Sequence, residues 1–174
     1  MLVVDRFDRT ATGDRIGYVS ATTTLEARDG DQRSYLDIAE VIETRSLAAT
    51  SELHQLWRRI VFSILISNTD DHLRNHGFLH QRGDAWRLSP AFDLNPDPSP
   101  GPASLSTLID TGDGAADLDL ARSVAGFFRL SATQADAVVA EVTAAVRRWR
   151  SVASSIGLRA DEAERMAPAF ALVG

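Results

Sequence analysis

Residues 66–80 read ISNTDDHLRNHGFLH, and this stretch decides how the rest of the chain is interpreted. It holds three histidines, two aspartates, two asparagines and one arginine, and it directly follows a strongly apolar segment. Polar side chains of this density are unusual for a plain surface loop after a buried segment. Three interpretations arise: the stretch binds a metal, takes part in catalysis, or solvates the end of a helix.

The segment before this stretch is predicted to be the central helix of the fold, from about residue 51 to residue 67. Its apolar residues recur at i, i+3, i+4 and i+7, which is the spacing of one helix face. They are Leu53, Leu56, Trp57, Ile60, Val61, Ile64 and Leu65. Phe62 and Ile66 add apolar surface on the opposite side, so the C-terminal half of the helix should be buried all round.

The N-terminal third of the chain should contain extended segments and one further helix. Residues 1–7 and 15–21 are predicted to be strands or extended segments. Ser34 and Asp37 have the spacing of a capping box, so a helix should begin there.

The chain after residue 76 should form a short hairpin, a loop and a helical bundle. Residues 77–80 and 85–88 predict the hairpin, and the five prolines of residues 90–102 exclude a helix or a central strand there. Residues 117–172 should form the bundle. Its predicted helices carry a stripe from Leu118 to Phe128, a long stripe from Ser131 to Ile156, and a short helix near residues 160–166. The predicted fold class is therefore mainly α with a small β-hairpin.

Composition bounds the class of protein. The 174 residues suit one domain or one large lobe, and the hydrophobic and charged fractions of 44% and 24% are ordinary for a globular protein. The N-terminus does not resemble a signal peptide, and no apolar run approaches the ~18 residues of a spanning helix. We therefore expect a cytoplasmic protein without a membrane partner. The net charge of −6 disfavours nonspecific binding of nucleic acid over the whole surface.

Two absent residue types exclude several chemistries. There is no cysteine, which excludes disulfides, zinc–thiolate sites and thiol nucleophiles. All 18 basic residues are arginine, so the chain offers no lysine for a Schiff base, for a P-loop or for gripping the phosphates in a protein kinase.

A zinc site is the weaker interpretation of the polar stretch. His72, His76 and His80 are spaced by four, which on a helix would put them on one face. Asn75 and Gly77 favour turns, however, so a shared helical face is not expected. His76 and His80, like His54, are predicted to be surface or hairpin residues, and His72 is expected either to bond within the loop or to meet a nucleotide.

A phosphoryl-transfer site explains the aspartates better. Such a site needs a carboxylate that accepts the proton of an attacking hydroxyl, and oxygen ligands for Mg²⁺. Asp70 and Asn75 have the D-x-x-x-x-N spacing of a kinase catalytic loop, and Asp93 follows the predicted hairpin, where a second metal ligand is required. Asp70 and Asp71 would also be poor choices for solvating a helix C-terminus, because acids there oppose the helix dipole.

The motifs T-D-D-H-L-R-N (residues 69–75) and S-P-A-F-D-L (residues 89–94) resemble those of HipA-type serine/threonine kinases, the toxins of bacterial toxin–antitoxin systems. V-D-R-F-D-R (residues 4–9) is similar to the hinge between the two lobes of that family. The resemblance implies a protein-kinase-like C-terminal lobe over residues 1–174. Within it, residues 1–9 would be the hinge, residues 68–75 the catalytic loop and residues 90–102 the metal-binding, activation-type loop.

The resemblance also implies roles for single residues. Asp70 matches the proton-accepting base, and Asn75 and Asp93 match the two magnesium ligands. His72, Arg74, Asn75 and Phe92 fall where the family lines its nucleotide and phosphate pocket, and Asp5 and Phe7 fall where hinge groups meet adenine. Arg6 and Asp8 are expected to be structural or to lie on the ribose side. The implied cofactors are ATP and Mg²⁺.

The family's N-terminal lobe, with its glycine-rich loop and lysine, is not represented in these 174 residues, so we expect the chain alone to show no measurable kinase turnover. Three explanations stay open: a remnant or mis-started fragment, a lobe completed by a separate N-lobe polypeptide, or a lobe retained for binding. The implied partners are a helix-turn-helix antitoxin, DNA only through that antitoxin, and a protein substrate such as an aminoacyl-tRNA synthetase. The alternatives are a catalytically inactive interaction module and, third, a metal-dependent phosphohydrolase.

Overall fold

The computed structural model describes residues 5–28, 30–99, 101 and 103–173. Within them, the strands are β1 (Tyr18–Ser20), β2 (Gly77–His80) and β3 (Trp86–Leu88). The α-helices are α1 (Ala21–Thr24), α2 (Tyr35–Arg45), α3 (Ala49–Leu65), α4 (Leu118–Val124), α5 (Ala132–Val146), α6 (Trp149–Ser155) and α7 (Ala160–Met166). Short 3₁₀ segments occupy Leu73–Asn75, Ala125–Phe128 and Ala167–Val173. The predicted mainly α class is confirmed.

Helix α3 lies at the centre of the hydrophobic core, with α2 and α5 packed on it. Its apolar residues on both sides are buried or partly buried, as the double stripe predicts. Trp57 is fully buried, and its indole Nε1 donates a hydrogen bond to the Ala121 carbonyl at 3.1 Å. Burying an aromatic ring with its N–H satisfied contributes strongly to stability, so this contact fixes α4 against α3.

The sheet has three antiparallel strands in the order β1-β2-β3, one more than the predicted hairpin. Phe78 on β2 is opposite Val19 on β1 and Leu88 on β3, so the side chains of all three face the core. The third strand, Tyr18–Ser20, lies within residues 15–21, which were predicted to be a strand or extended segment. Ser20 then caps α1 by accepting a hydrogen bond from the Thr23 amide at 3.2 Å.

Two other predictions about elements need correction. Residues 5–7 are not a strand, and residues 1–4 of that predicted segment lie outside the described residues. The long helix predicted from residue 131 to residue 156 is broken into α5 and α6 by a turn at Arg147 and Arg148. The chain bends there because tertiary contacts hold it: Arg147 Nε donates to the Val173 carbonyl at 3.0 Å, and Trp149 stacks on Phe170 at 4.3 Å.

In the part of the chain that the structure describes, no helix combines the length and the apolar character needed to cross a membrane.

Candidate active site

The polar stretch leaves helix α3 through a tight reversal. Ser67 adopts a left-handed backbone with φ 51°, and the Asn68 amide donates back to the Ser63 carbonyl at 2.8 Å. Left-handed backbone is costly for a residue with a Cβ atom, so it persists only where the surroundings enforce it. The reversal sends the following loop, residues 68–76, across the end of α3 instead of into solvent.

Neighbouring aspartates of this loop lie in opposite environments. The Asp70 side chain is 80% exposed, whereas that of Asp71 is 1% exposed. The sequence analysis did not distinguish the environments of the two aspartates, and in the structure only Asp70 reaches solvent. Asp70 therefore presents an exposed carboxylate, and Asp71 is part of the interior.

Asp71 anchors the loop to two other parts of the fold, helix α3 and the segment around Thr107. Its carboxylate accepts a hydrogen bond from Ser63 Oγ of α3 at 3.4 Å, and its backbone carbonyl accepts one from the Thr107 amide at 2.9 Å. His76 Nε2 lies 2.9 Å from Asp71 Oδ1, a close contact between two buried side chains. The prediction that His76 is a surface or hairpin residue is wrong, since its side chain is 2% exposed and meets the Tyr35 ring edge-on at 5.2 Å.

His72 and Asn75 both lie next to Asp70. His72 Nε2 is 3.9 Å from Asp70 Oδ1, while its buried Nδ1 makes no hydrogen bond within the described residues. Asn75 Nδ2 donates to the Asp70 carbonyl at 3.2 Å, and the Asn75 amide donates to the His72 carbonyl at 2.8 Å. The 3₁₀ segment Leu73–Asn75 thus folds the loop into a compact turn with Asp70 at its outer edge. The histidines at positions 72, 76 and 80 share no helical face.

Asp93 is exposed and has a left-handed backbone with φ 56°. Its Oδ1 accepts a hydrogen bond from Asn95 Nδ2 at 2.8 Å. Left-handed backbone at a residue other than glycine clusters at ligand-binding and active sites, where the surrounding structure holds it. Within the described residues no three histidine, cysteine, aspartate or glutamate side chains are grouped to hold a metal. Mg²⁺ differs from zinc here, because it is usually bound through one or two carboxylates plus substrate phosphates.

The loop that carries Asp93 is fastened to the core at its start. The Arg59 guanidinium of α3 donates to the Ser89 carbonyl, and the Glu52 carboxylate accepts from the Leu88 amide at 2.8 Å. Burial lowers the pKa of Arg59 to about 10, although the nearby Glu52 carboxylate opposes that shift. The guanidinium is still charged at neutral pH, so a partly buried cation holds the first residue of the S-P-A-F-D-L motif.

A second link joins the two loops directly. Thr69 Oγ1 donates to Asp97 Oδ2 at 2.5 Å, and the Thr69 carbonyl accepts from Ser106 Oγ at 2.6 Å. Hydrogen bonds from Ser99 and from Thr69 lower the pKa of Asp97. The sequence analysis missed Asp97 and Ser106. Their only signal in the sequence is that they are polar residues shortly after the S-P-A-F-D-L motif.

The predicted hinge residues meet the Asp93 loop through aromatic rings. The Phe7 ring lies 5.5 Å from the Phe92 ring and 5.9 Å from the Tyr18 ring, centroid to centroid. Asp5 is exposed. Arg6 and Asp8 bond to each other at 2.6 Å, and this hydrogen bond is the main reason why the pKa of Asp8 falls to about 2.

The structure therefore brings the predicted residues together in two groups. Asp70, His72 and Asn75 are joined within the first loop, and Phe7 and Phe92 are joined beside the Asp93 loop. Arg74 is exposed and, with His72, lines a polar cleft beside the first loop. The Thr69–Asp97 hydrogen bond connects the two loops.

Comparison with known proteins places the chain in context. Residues 1–150 match a family model described as the HipA-like C-terminal domain. The chain is 32% identical over 95 residues to "Putative kinase Y4dM" of Sinorhizobium fredii. The aligned region covers 53% of this chain and 23% of that protein. It is 32% identical over 61 residues to a "Putative kinase" of Haemophilus influenzae, which is 35% of this chain and 18% of that protein.

The fold also matches a solved structure. A chain in the complex of the Shewanella oneidensis toxin–antitoxin proteins HipA and HipB with operator DNA superposes with a TM-score of 0.71 and 16% identity. The match covers 97% of this chain and 46% of that chain. At this identity the match establishes a shared kinase-like C-terminal fold. The chain spans less than half of that chain, and its matches span less than a quarter of the two kinase-named relatives.

Proposed function

Because the chain belongs to the HipA-like C-terminal domain family, we propose that it is the C-terminal lobe of a HipA-like toxin kinase. The reaction would transfer the γ-phosphoryl group of ATP to a serine or threonine hydroxyl of a protein. The observation that carries this proposal is Asp93, an exposed aspartate held in left-handed backbone on a loop tied to the Asp70 loop.

Asp70 is proposed as the base. Its exposed carboxylate would accept the proton of the acceptor hydroxyl as the hydroxyl oxygen bonds to the γ-phosphorus and the bond to the β-phosphate oxygen breaks, releasing ADP. The contacts of buried Asp71 hold the adjacent backbone in place, and this would fix the position of the Asp70 carboxylate. Positioning of this kind supplies much of the rate in phosphoryl transfer.

Asn75 and Asp93 are the proposed ligands of Mg²⁺, which would neutralise charge on the phosphates. The Asn75 side-chain nitrogen Nδ2 donates to the Asp70 carbonyl within the loop, so the side-chain oxygen Oδ1 would be the atom that binds the cation. Both donors are oxygens, the ligand type that Mg²⁺ prefers. Asp5, Phe7, His72, Arg74 and Phe92 would surround the nucleotide, with the Phe7 and Phe92 rings on its apolar side.

The proposal includes partners that would complete the site. Without an N-lobe polypeptide to cover the phosphates, the chain alone should have no measurable turnover, since each tenfold in rate corresponds to about 1.4 kcal/mol of contacts. A helix-turn-helix antitoxin is the proposed regulatory partner, by analogy with the complex of HipA, HipB and operator DNA. DNA would be reached only through that antitoxin, in the cytoplasm. The proposed substrate class is a protein such as an aminoacyl-tRNA synthetase.

The test is calorimetric titration of the chain with a nonhydrolysable ATP analogue, with and without Mg²⁺. Asp93→Gly is a better variant than Asp93→Ala, because glycine keeps the left-handed backbone while removing the carboxylate. Asp84→Gly, on the exposed turn between β2 and β3, is the matched control. We expect Mg²⁺-dependent binding in the wild type and in the control, and its loss in Asp93→Gly. Nucleotide binding that is unaffected by Mg²⁺ or by Asp93→Gly would refute the assigned metal role.

The second candidate function is a catalytically inactive lobe that binds an antitoxin or a partner subunit. The observation that favours it is an apolar groove of about 380 Å³ near α6, where Val152 and Ile156 are 52% and 75% exposed. Exposed apolar surface of this kind is typical of interaction sites. Absence of any nucleotide binding at millimolar concentration would favour this candidate over the kinase lobe.

A further inference from the structure

A second face of helix α3, turned away from its fully buried stripe, lines two cavities of the protein. Side chains spaced by three or four residues lie on the same face of a helix. On this face are Glu52, Gln55, Arg59, Phe62 and, directly after the helix, Ile66. The first four line a cavity of about 610 Å³, and Phe62 and Ile66 line the groove of about 380 Å³ near α6.

The two cavities adjoin, because Phe62 and Ala145 line both of them. Together they form one channel on the surface, which we call the α3 groove. Its floor is the second face of α3, one wall is α5 and α6, and the other wall is the segment of residues 87–96. Glu52 and Ile66 are 14 residues apart, so the floor is about 21 Å long at 1.5 Å per helical residue.

The α6 end of the α3 groove is apolar. Trp149, Val152, Ala153 and Ile156 line it with the spacing i, i+3, i+4 and i+7, which is that of one helix face. Val152 and Ile156 are each more than half exposed, and Leu158 beside them is 37% exposed. Large apolar side chains that are exposed together along a concave surface are typical of a site where another molecule binds.

The opposite end of the α3 groove has one unpaired cation. The charged residues that line it are Arg58, Arg59, Arg87, Glu52 and Glu141. Arg58 Nη1 lies 2.8 Å from Glu141 Oε1, and Arg59 and Glu52 bind backbone groups at the end of β3. Within the part of the chain that the structure describes, the Arg87 guanidinium has no hydrogen-bond or ion-pair partner. A carboxylate is the group that would pair with it best.

The backbone of the α3 groove favours a helical occupant over an extended one. The outer edge of β3 is closed to strand pairing, because the Leu88 amide donates to Glu52 and the Ser89 carbonyl accepts from Arg59. The floor and one wall are α-helices, whose backbone groups are bonded internally. An extended peptide would therefore bury backbone groups without partners, whereas a helix satisfies its own.

We propose that the α3 groove binds an amphipathic α-helix of a partner protein, with an apolar stripe along the groove and an acidic residue at the Arg87 end. About four helical turns match the length of the floor. The stripe would cover Val152 and Ile156, and the carboxylate would pair with Arg87. No residue assigned to the base, to Mg²⁺ or to the nucleotide lines the groove, so the inference goes beyond the proposed catalytic site and specifies the chemistry of a partner.

The test measures binding of fluorescein-labelled peptides of about 14 residues to the chain by anisotropy. The probe is a peptide of leucine, alanine and glutamine with leucines at helical spacing and glutamates in its first or its last turn, one version for each direction of the helix. A lysine version and a version with scrambled leucines are compared with it. The variants are Ile156→Gln and Arg87→Glu. Their matched controls are Leu47→Gln, which is exposed outside the groove, and Arg82→Glu on the exposed β2–β3 turn.

We expect the glutamate peptide to bind better than the lysine and scrambled peptides. Ile156→Gln should weaken it by roughly tenfold, as for loss of one buried aliphatic side chain. Arg87→Glu should weaken it by roughly fivefold, the upper range for one partly exposed ion pair, and should strengthen binding of the lysine peptide. The two controls should leave binding nearly unchanged.

Several outcomes would overturn the proposal. They are equal binding of the scrambled peptide, no preference for glutamate over lysine, equal weakening by the controls, and no peptide binding at millimolar concentration. Sedimentation equilibrium of the chain alone adds one more, since a dimer that Ile156→Gln dissociates would assign the α3 groove to a second copy of the chain. The assays contain no nucleotide, so failure here is separate from failure of the Asp93 titration.

Discussion

The inner and outer faces of the loop of residues 68–76 differ sharply in the solvent exposure of their side chains. On the inner face, Asp71 and His76 are buried against α3, Tyr35 and the segment around Thr107. On the outer face, Asp70 is 80% exposed and interacts only loosely with His72. The difference teaches that neighbouring acids can serve separate ends: buried Asp71 holds the backbone, and Asp70 is left exposed, as the proposed base must be.

The largest effect should come from breaking the inner face. Asp71→Ala leaves buried His76 and Ser63 without their acidic partner, and we expect a loss of about 3 kcal/mol in the free energy of unfolding. Asp70→Ala, its matched control one residue away, should change that free energy by no more than about 0.5 kcal/mol. Urea denaturation followed by circular dichroism measures both.

A double variant sharpens this contrast between the two faces. Asp71→Ala combined with His76→Phe replaces both members of the polar pair by apolar groups, so most of the lost stability should return. Equal losses for Asp70→Ala and Asp71→Ala, or no recovery in the double variant, would show that the buried pair does not anchor the loop.

The next largest effect tests the close contact between Gly77 of β2, directly after the loop, and Tyr18 of β1. A Cβ atom on Gly77 would lie 2.4 Å from the Tyr18 ring, so Gly77→Ala must displace that ring from its place beside Phe7. We expect a loss of about 1 kcal/mol, at the low end for overpacked sites, because Tyr18 is 39% exposed and its ring can move aside. In the Tyr18→Ala background the same glycine substitution should cost much less. A double-mutant cycle by urea denaturation measures this coupling, and strict additivity would contradict the contact.

The smallest effect concerns the outer link between Thr69 and Asp97. The pKa of Asp97 is lowered by Ser99 and Thr69, so the folded protein binds fewer protons there than the unfolded chain does. The resulting stabilisation is present above about pH 4, the ordinary value of an aspartate, and is lost as the pH falls through the lowered pKa. Asp97→Asn should thus reduce the melting temperature slightly at pH 7, and the difference from wild type should shrink below about pH 4.

Thermal melts from pH 3 to pH 7 measure this pH dependence, with Asp84→Asn on the exposed turn as the control. A difference between wild type and Asp97→Asn that stays constant over the whole range would mean that the carboxylate charge does not stabilise the link.

Much of the helical part could be predicted, because it depends on local signals. The capping box at Ser34 and the short helix at residues 160–166 are where their patterns predict them, and α3 begins and ends within two residues of the expected bounds. The single long helix could not be predicted correctly, because its stripe continues through Arg147 and Arg148 while the contacts of Val173 and Phe170 bend the chain.

The sequence by itself determined the mainly α class, the buried central helix and the order of polar motifs that marks Asp70, Asn75 and Asp93 as candidates. These depend on periodicity and spacing, which are local properties of the chain. Only the tertiary structure decided that Asp70 is exposed while Asp71 is buried, that His76 belongs to the interior, and that Asp97 joins the two loops. Adjacent residues of one type carry the same local signal, and only packing against distant segments distinguishes them.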